Sequence, residues 1–266
     1  MNVTRSYAIF LRQVYLLRSN TSRWVMIFFW SIADLLIWGL LTKYLNTVGG
    51  AKFNFITVLI GAVIFAHLVS RTQVGISVAQ LEDVWARNLV NFFAAPLQLG
   101  EYILGLALTS LLTTCISLFV MATLAWFLFY YNIFQFGFLL LPYVLILVLF
   151  GIALGLLAIT VITRFGPAAE TFAWIIPTAI SPFSGVFYPI ATLPDSIQFI
   201  AYAIPSSYVF EGMRGVVLTG TFSMWHMVVG LGLAVLYGVL GYALLRYYFR
   251  QAVKRGLLIR FLTDAW

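Results

Sequence analysis

Asp34, His67 and Arg71 are the residues of this sequence whose type and position suit them to chemistry, because Asp34 and His67 lie within apolar runs and Arg71 stands at the end of the second, one turn from His67. A carboxylate in the middle of a membrane span costs about 2.5–3.5 kcal/mol on insertion scales, so Asp34 is expected to face protein or water. Ser31, Asp34, Trp38 and Thr42 share one stripe of a helix with 3.6 residues per turn. His67 and Arg71 are one turn apart on the next apolar segment. If the two segments run antiparallel, Asp34 and His67 both lie roughly 15–18 Å from the outer ends. A contact from Asp34 to His67 or to Arg71 is therefore expected. Such a contact has two readings, a polar clasp between adjacent helices or a cavity-lining site that relays protons or meets a cargo.

Other chemistry finds no residues to carry it. The lysines are Lys43, Lys52 and Lys254, followed by Tyr, Phe and Arg, so no Gly-Lys-Ser/Thr exists to cradle nucleotide phosphates. His67 and His226 lie on different apolar runs, and no Cys/His/carboxylate set has metal-ligand spacing. Gly75-Ile76-Ser77-Val78-Ala79 lacks the last glycine of a nucleophile elbow. Cys115 is the single cysteine, which rules out an intrachain disulfide. No catalytic residue and no resident cofactor is assigned.

The elements that position these residues follow from composition. Of 266 residues, 63% are hydrophobic and 9% charged, against roughly 25% charged in a soluble domain. The bilayer must solvate most of the surface, and the apolar runs have the length of spanning helices rather than of barrel strands. The expected fold is all-α and integral to the membrane, with about six spans near 24–44, 53–69, 102–129, 138–162, 171–188 and 224–245. Gly151 and Gly155, four apart on the fourth, suit close helix contact. Residues 1–23 read as an amphipathic interfacial helix, with Val3, Tyr7, Phe10, Leu11, Val14 and Leu17 on one face, Arg5 and Arg12 opposite, and Ile9 and Leu16 blurring the polar side. The first apolar run is long enough to be a retained span rather than a removed signal peptide. Residues 70–101 read as a polar loop and residues 247–266 as a basic tail.

Charge placement orients this arrangement. With the first residues in the cytoplasm, only Lys43, Lys52 and Arg214 of the fifteen lysines and arginines fall outside, which fits an even number of spans and two cytoplasmic ends. The net charge of +7 then faces anionic headgroups. It gathers on no soluble domain, so nucleic acid is not an expected partner.

Two loops carry further candidates. Glu82, Asp83, Trp85, Arg87 and Asn88 follow the second span on the cytoplasmic side, and a short charged helix with one large aromatic suits a groove on a partner. In 189–223, Pro189 and Pro194 stop the fifth helix, and Ile197, Ile200, Ala201 and Ile204 recur at helical spacing in a run too short to span. Glu211 and Arg214 are three apart and can pair on a helix. A segment that dips into the outer leaflet and returns is expected.

Residues 181–219 read SPFSGVFYPIATLPDSIQFIAYAIPSSYVFEGMRGVVLT, and this stretch resembles the ABC-2 type transporter permeases. The matching positions are Ser184, Gly185, Pro189, Pro194, Pro205, Tyr208, Glu211 and Arg214. The rest of the chain agrees in outline. The resemblance implies short re-entrant helices between the fifth and sixth spans, with Gly185, Pro189, Pro194, Pro205, Glu211 and Arg214 in an external gate. It implies that the loop after the second span, with Glu82 through Asn88, is a coupling helix that docks on a separate ATPase, which binds ATP and Mg. It implies a pair of permease chains in the plasma membrane, the bacterial inner membrane, exporting a hydrophobic or amphipathic cargo such as a drug, a lipid or a glycolipid or polysaccharide precursor. The competing reading is an ion-coupled carrier or membrane-embedded enzyme that uses Asp34, His67 and Arg71.

Overall fold

The computed structural model describes residues 2–49 and 56–255. Among them the regular elements are α1 (Val3–Ser19), α2 (Thr21–Gly49), α3 (Gly61–Trp85), α4 (Leu89–Ala94), α5 (Leu99–Phe129), α6 (Leu140–Phe165), α7 (Thr171–Ile180), α8 (Asp195–Ala203), α9 (Pro205–Thr219) and α10 (Met224–Lys254), joined in places by 3-10 and π turns, with no strand. The all-α membrane class stands. Lys52 and the expected start of the second span at Phe53 or Phe55 lie outside the described residues, as does the tail beyond Arg255.

Among the described residues, five segments are long and apolar enough to cross a bilayer: Thr21–Val48, Val58–Trp85, Leu99–Phe129, Ile133–Phe165 and Met224–Lys254. The expected fifth span, 171–188, is not one of them. Its α-helix stops at Ile180 and passes into a 3-10 turn, Ser181–Phe183. Pro177 and Pro182 are the cause, since each removes a backbone donor and crowds the carbonyl four residues before it. With the 3-10 turn Pro167–Glu170 in front, the helical run is about 29 Å long, close to the thickness of the hydrocarbon core.

The larger correction concerns residues 70–101. They were expected to form a loop, but α3 runs on unbroken to Trp85. Its polar side chains point between helices instead of into solvent. Thr72 and Thr114 hydroxyls meet at 3.2 Å, Ser110 donates to the Thr72 carbonyl at 2.7 Å, and Gln80 reaches Thr163. Gln73 donates to the Ala173 carbonyl at 3.0 Å, the carbonyl that Pro177 leaves without its helical partner. Polarity that resembles a loop is thus a set of interhelical hydrogen bonds, the usual adhesive where hydrophobic burial does not favour helix association.

α6 lies centrally and packs against both α3 and α10. Gly151 allows this, since a Cβ there would stand 2.7 Å from the Thr72 Cβ and 2.9 Å from the Val69 carbonyl oxygen. α1 uses two faces. Ser6, Ile9, Gln13 and Leu17 are buried, chiefly against α5, while Val3 and Tyr7 are exposed. Ile9 therefore belongs to a second, inward stripe, which is why it blurs a single-face reading. α10 continues past the expected end at 245 to Lys254 and carries Arg246, Arg250 and Lys254 at four-residue intervals. Contacts of α1, the α3–α5 connection, Arg164 and the end of α10 with one another place most of the basic side chains at one end of the bundle.

At the opposite end, 189–223 forms a 3-10 turn and two short helices, α8 and α9. Pro205 opens α9, where its missing N–H costs nothing. Phe199 is exposed, whereas Ala201, Ile204, Val209 and Phe210 are buried.

Candidate functional site

α2 packs mainly on α5, whereas α7 packs on α3 and α6. Between α2 and α7, floored by α3, lies a cavity of about 370 Å³. Asp34, His67 and Arg71 all line it, with Ser70 and Gly75 from α3, Thr109 and Thr113 from α5, and Trp174, Pro177 and Thr178 from α7. Its volume lies in the range of small-molecule sites. Trp30 and Trp174 stand partly exposed at its edge.

Asp34 contacts His67, with Oδ2 3.2 Å from Nδ1. A carboxylate accepts, so Nδ1 carries the proton and Nε2 is left to accept from a hydroxyl. Two hydroxyls are in reach, Ser117 at 3.0 Å and Ser31 at 3.2 Å, and they lie 2.6 Å from each other. Ser31 also donates to the Ile27 carbonyl. The Ser31–Asp34 stripe thus meets α3 and α5 together. Farther along the stripe, Trp38 stacks on Phe187 with ring centroids 4.2 Å apart, and Thr42 returns its hydrogen bond to its own helix. Arg71 does not pair with Asp34. Its Nε is buried without a hydrogen-bond partner, and among the described residues no carboxylate reaches its guanidinium.

The basic end is organised differently. Asp83 is fully buried at the end of α3 and receives Arg12 at 2.6 Å and the Tyr102 hydroxyl at 2.8 Å. Arg12 also lies over the Phe92 ring. Glu82 pairs with Arg23, whose guanidinium in turn reaches Gln13 at 3.3 Å. Glu101 accepts from the backbone N–H groups of Asn2 and Gln98 at 2.6 and 3.0 Å and lies 3.6 Å from Arg5, which bonds the Pro96 carbonyl. α1 thereby clamps the end of α3, the connection and the start of α5.

The expected docking set divides into inward and exposed residues. Glu82 and Asp83 are turned inward and engaged, because α3 extends far enough to bring them beneath α1. Trp85 and Arg87 are exposed, and Asn88 is partly so. Arg87 has φ of 56°, in the left-handed region. Its N–H bonds the Val84 carbonyl and that of Asn88 the Asp83 carbonyl, which ends α3 in a Schellman turn. Glycine usually fills that position, since a Cβ costs roughly 1 kcal/mol there.

The external candidates converge in part. Arg214 bonds Glu211 at 2.7 Å and the Gly185 carbonyl at 2.6 Å, and Glu211 accepts from the Ile190 N–H at 2.8 Å. Gly185 has φ of +67°. Ser184 is buried, and the Tyr208 hydroxyl returns to Tyr202 within the same segment. Pro189 and Pro194 are exposed, whereas Pro205 is buried.

Sequence reasoning missed the α5 stripe of Thr109, Thr113 and Ser117, although its four-residue spacing inside an apolar run was visible. It also missed Trp30, one turn before Asp34, and the roles of Arg12, Arg23, Glu101 and Tyr102, for which spacing gives no signal because their partners are distant in the chain.

Long apolar helices around a largely apolar cavity that holds a few polar side chains, with paired charges at one end of the bundle, define a multi-pass, all-helical membrane protein. Residues 7–218, from within α1 to within α9, match the ABC-2 type transporter family, and the chain belongs to it. It is accordingly the membrane-spanning permease component of an ABC transporter, in a family whose members work with an ABC ATPase. No curated protein matches the chain.

Proposed function

We propose that the chain, with a second copy or a similar chain, forms the membrane path of an ATP-driven exporter for hydrophobic or amphipathic cargo. A separate ATPase holds ATP and Mg. The basic end faces the cytoplasm, with both chain ends there, in the bacterial inner membrane. α8 and α9 form the outer, re-entrant gate, stapled through Glu211 and Arg214. The Trp85–Asn88 turn and α4 dock on the ATPase.

One observation carries this reading. α3 is a single rod bearing the exposed Trp85–Arg87 turn at its end and His67 and Arg71 in the cavity wall. Arg71 lies about 21 Å along the helix from Trp85. A push on the turn moves the cavity floor, and the clasp of α1 makes α3 and α5 move together. Copurification tests this. Trp85→Ala should insert normally yet lose most of its ATPase partner and its stimulation of ATP hydrolysis. Undiminished partner binding and hydrolysis would remove the coupling role.

An ion-coupled carrier is the second reading, supported by the hydrogen-bonded chain from Asp34 through His67 to Ser117 and Ser31. Purified chain without an ATPase distinguishes them, since only the carrier should transport with a proton gradient alone.

A further inference from the structure

Among the described residues, the bundle pairs the buried carboxylates of its basic end with arginines and leaves the Arg71 Nε without a partner. At the basic end, Asp83, Glu82 and Glu101 each hold an arginine. Arg71 lies mid-helix in a cavity wall with a buried Nε that no protein atom accepts. A cation in a low-dielectric wall with a buried, unpartnered N–H is costly, and pairing removes much of that cost. The cavity's one carboxylate, Asp34, is engaged by His67. Arg23, the other guanidinium on the wall, is held by Glu82 and Gln13. The cavity wall therefore carries an arginine that meets no carboxylate among the described residues and whose Nε is buried without a hydrogen-bond partner. Thr113 and Thr178 line the same space, their hydroxyls donating to the Ser110 and Trp174 carbonyls of their own helices. Trp30 and Trp174 give its edge an apolar, partly exposed character.

We propose that the cavity receives the anionic headgroup of an amphipathic cargo, with Arg71 as its counter-ion and the tryptophan edge against its apolar portion. This rests on the chain being a transport subunit and names the class of cargo. Guanidinium recognises phosphate or carboxylate through paired, charge-assisted hydrogen bonds, which a lysine replaces only as a point charge. About 370 Å³ accommodates a headgroup and the first part of a chain rather than a whole lipid.

The test is equilibrium binding of radiolabelled dodecyl phosphate to the purified full chain in neutral maltoside micelles, with dodecylphosphocholine, dodecyltrimethylammonium and inorganic phosphate as competitors. Wild type should prefer the alkyl phosphate to the zwitterion and the cation by about ten-fold or more, one charge-assisted contact's worth. Inorganic phosphate at equal concentration should not compete. Arg71→Gln should lose about ten-fold in affinity, and Arg71→Lys should keep much of it. Without ligand, Arg71→Gln should melt at or above wild type, because it removes an uncompensated charge; a structural role would lower the melting point instead. Equal binding by wild type and a folded Arg71→Gln overturns the proposal, as does competition by inorganic phosphate as strong as by the alkyl phosphate. Failure to recruit an ATPase would strike the transport reading alone and leave the binding result as it stands.

Discussion

Two regions of this permease handle arginine in opposite ways. In the clasp, Arg12 and Arg23 meet carboxylates on α3 that sit at adjacent positions, and Arg5 lies beside Glu101 at the start of α5. In the cavity, Arg71 on the same α3 meets none among the described residues. The paired set is positional: each carboxylate binds two or more elements, so its loss frees a helix end. Among those residues Arg71 makes no ion pair and its Nε no hydrogen bond, so it joins no helix ends in the way the clasp does. The difference separates charge that builds the bundle from the charge proposed above to meet an anionic cargo.

Breaking the clasp should have the largest effect on stability. Asp83→Ala strands Arg12 and the Tyr102 hydroxyl, and loss of one partner from a buried pair costs about 3 kcal/mol, the low end because Arg12 keeps some solvent contact. Melting of the purified chain should fall by about 6–10 °C. A fall as small as that of a surface substitution would remove the clasp as a structural element. Removing a cavity hydroxyl should do less. Ser117→Ala takes one hydroxyl from His67 while Ser31 remains 3.2 Å away, so about 1 kcal/mol is expected. A loss near that of Asp83→Ala would mean that the mid-membrane cluster, not the clasp, holds α3 against α5.

The sequence made one side of this comparison legible. Asp34 and His67 were readable because polar groups in apolar runs are few and helical period and antiparallel depth fix where they meet. The Glu211–Arg214 pair was readable for a similar reason, being local. The clasp was not, because Arg12–Asp83 and Asn2–Glu101 span most of a hundred residues or nearly so, and no periodicity encodes such partners. The run from Ser70 to Trp85 was misread because hydropathy cannot tell a solvated loop from a helix whose polar side chains bond across to Thr114, Ala173 and Thr163. The broken fifth span was half legible. Pro177 and Pro182 announced a disturbance, but Gln73 as the donor that repairs it becomes visible only when α3 and α7 are side by side.

The turn after α3 joins the two regions, since it lies beside the clasp and on the same helix as Arg71. Arg87 occupies a left-handed position that glycine fills without strain, so Arg87→Gly should keep the fold and gain about 1 kcal/mol of stability while removing the exposed guanidinium. The decisive measurement is ATP hydrolysis by the copurified ATPase, reconstituted with this variant, as dodecyl phosphate is added. Coupling along α3 requires that Arg87→Gly bind the alkyl phosphate as wild type does while the partner's hydrolysis no longer responds to it. Hydrolysis that rises with dodecyl phosphate as in wild type would contradict the account.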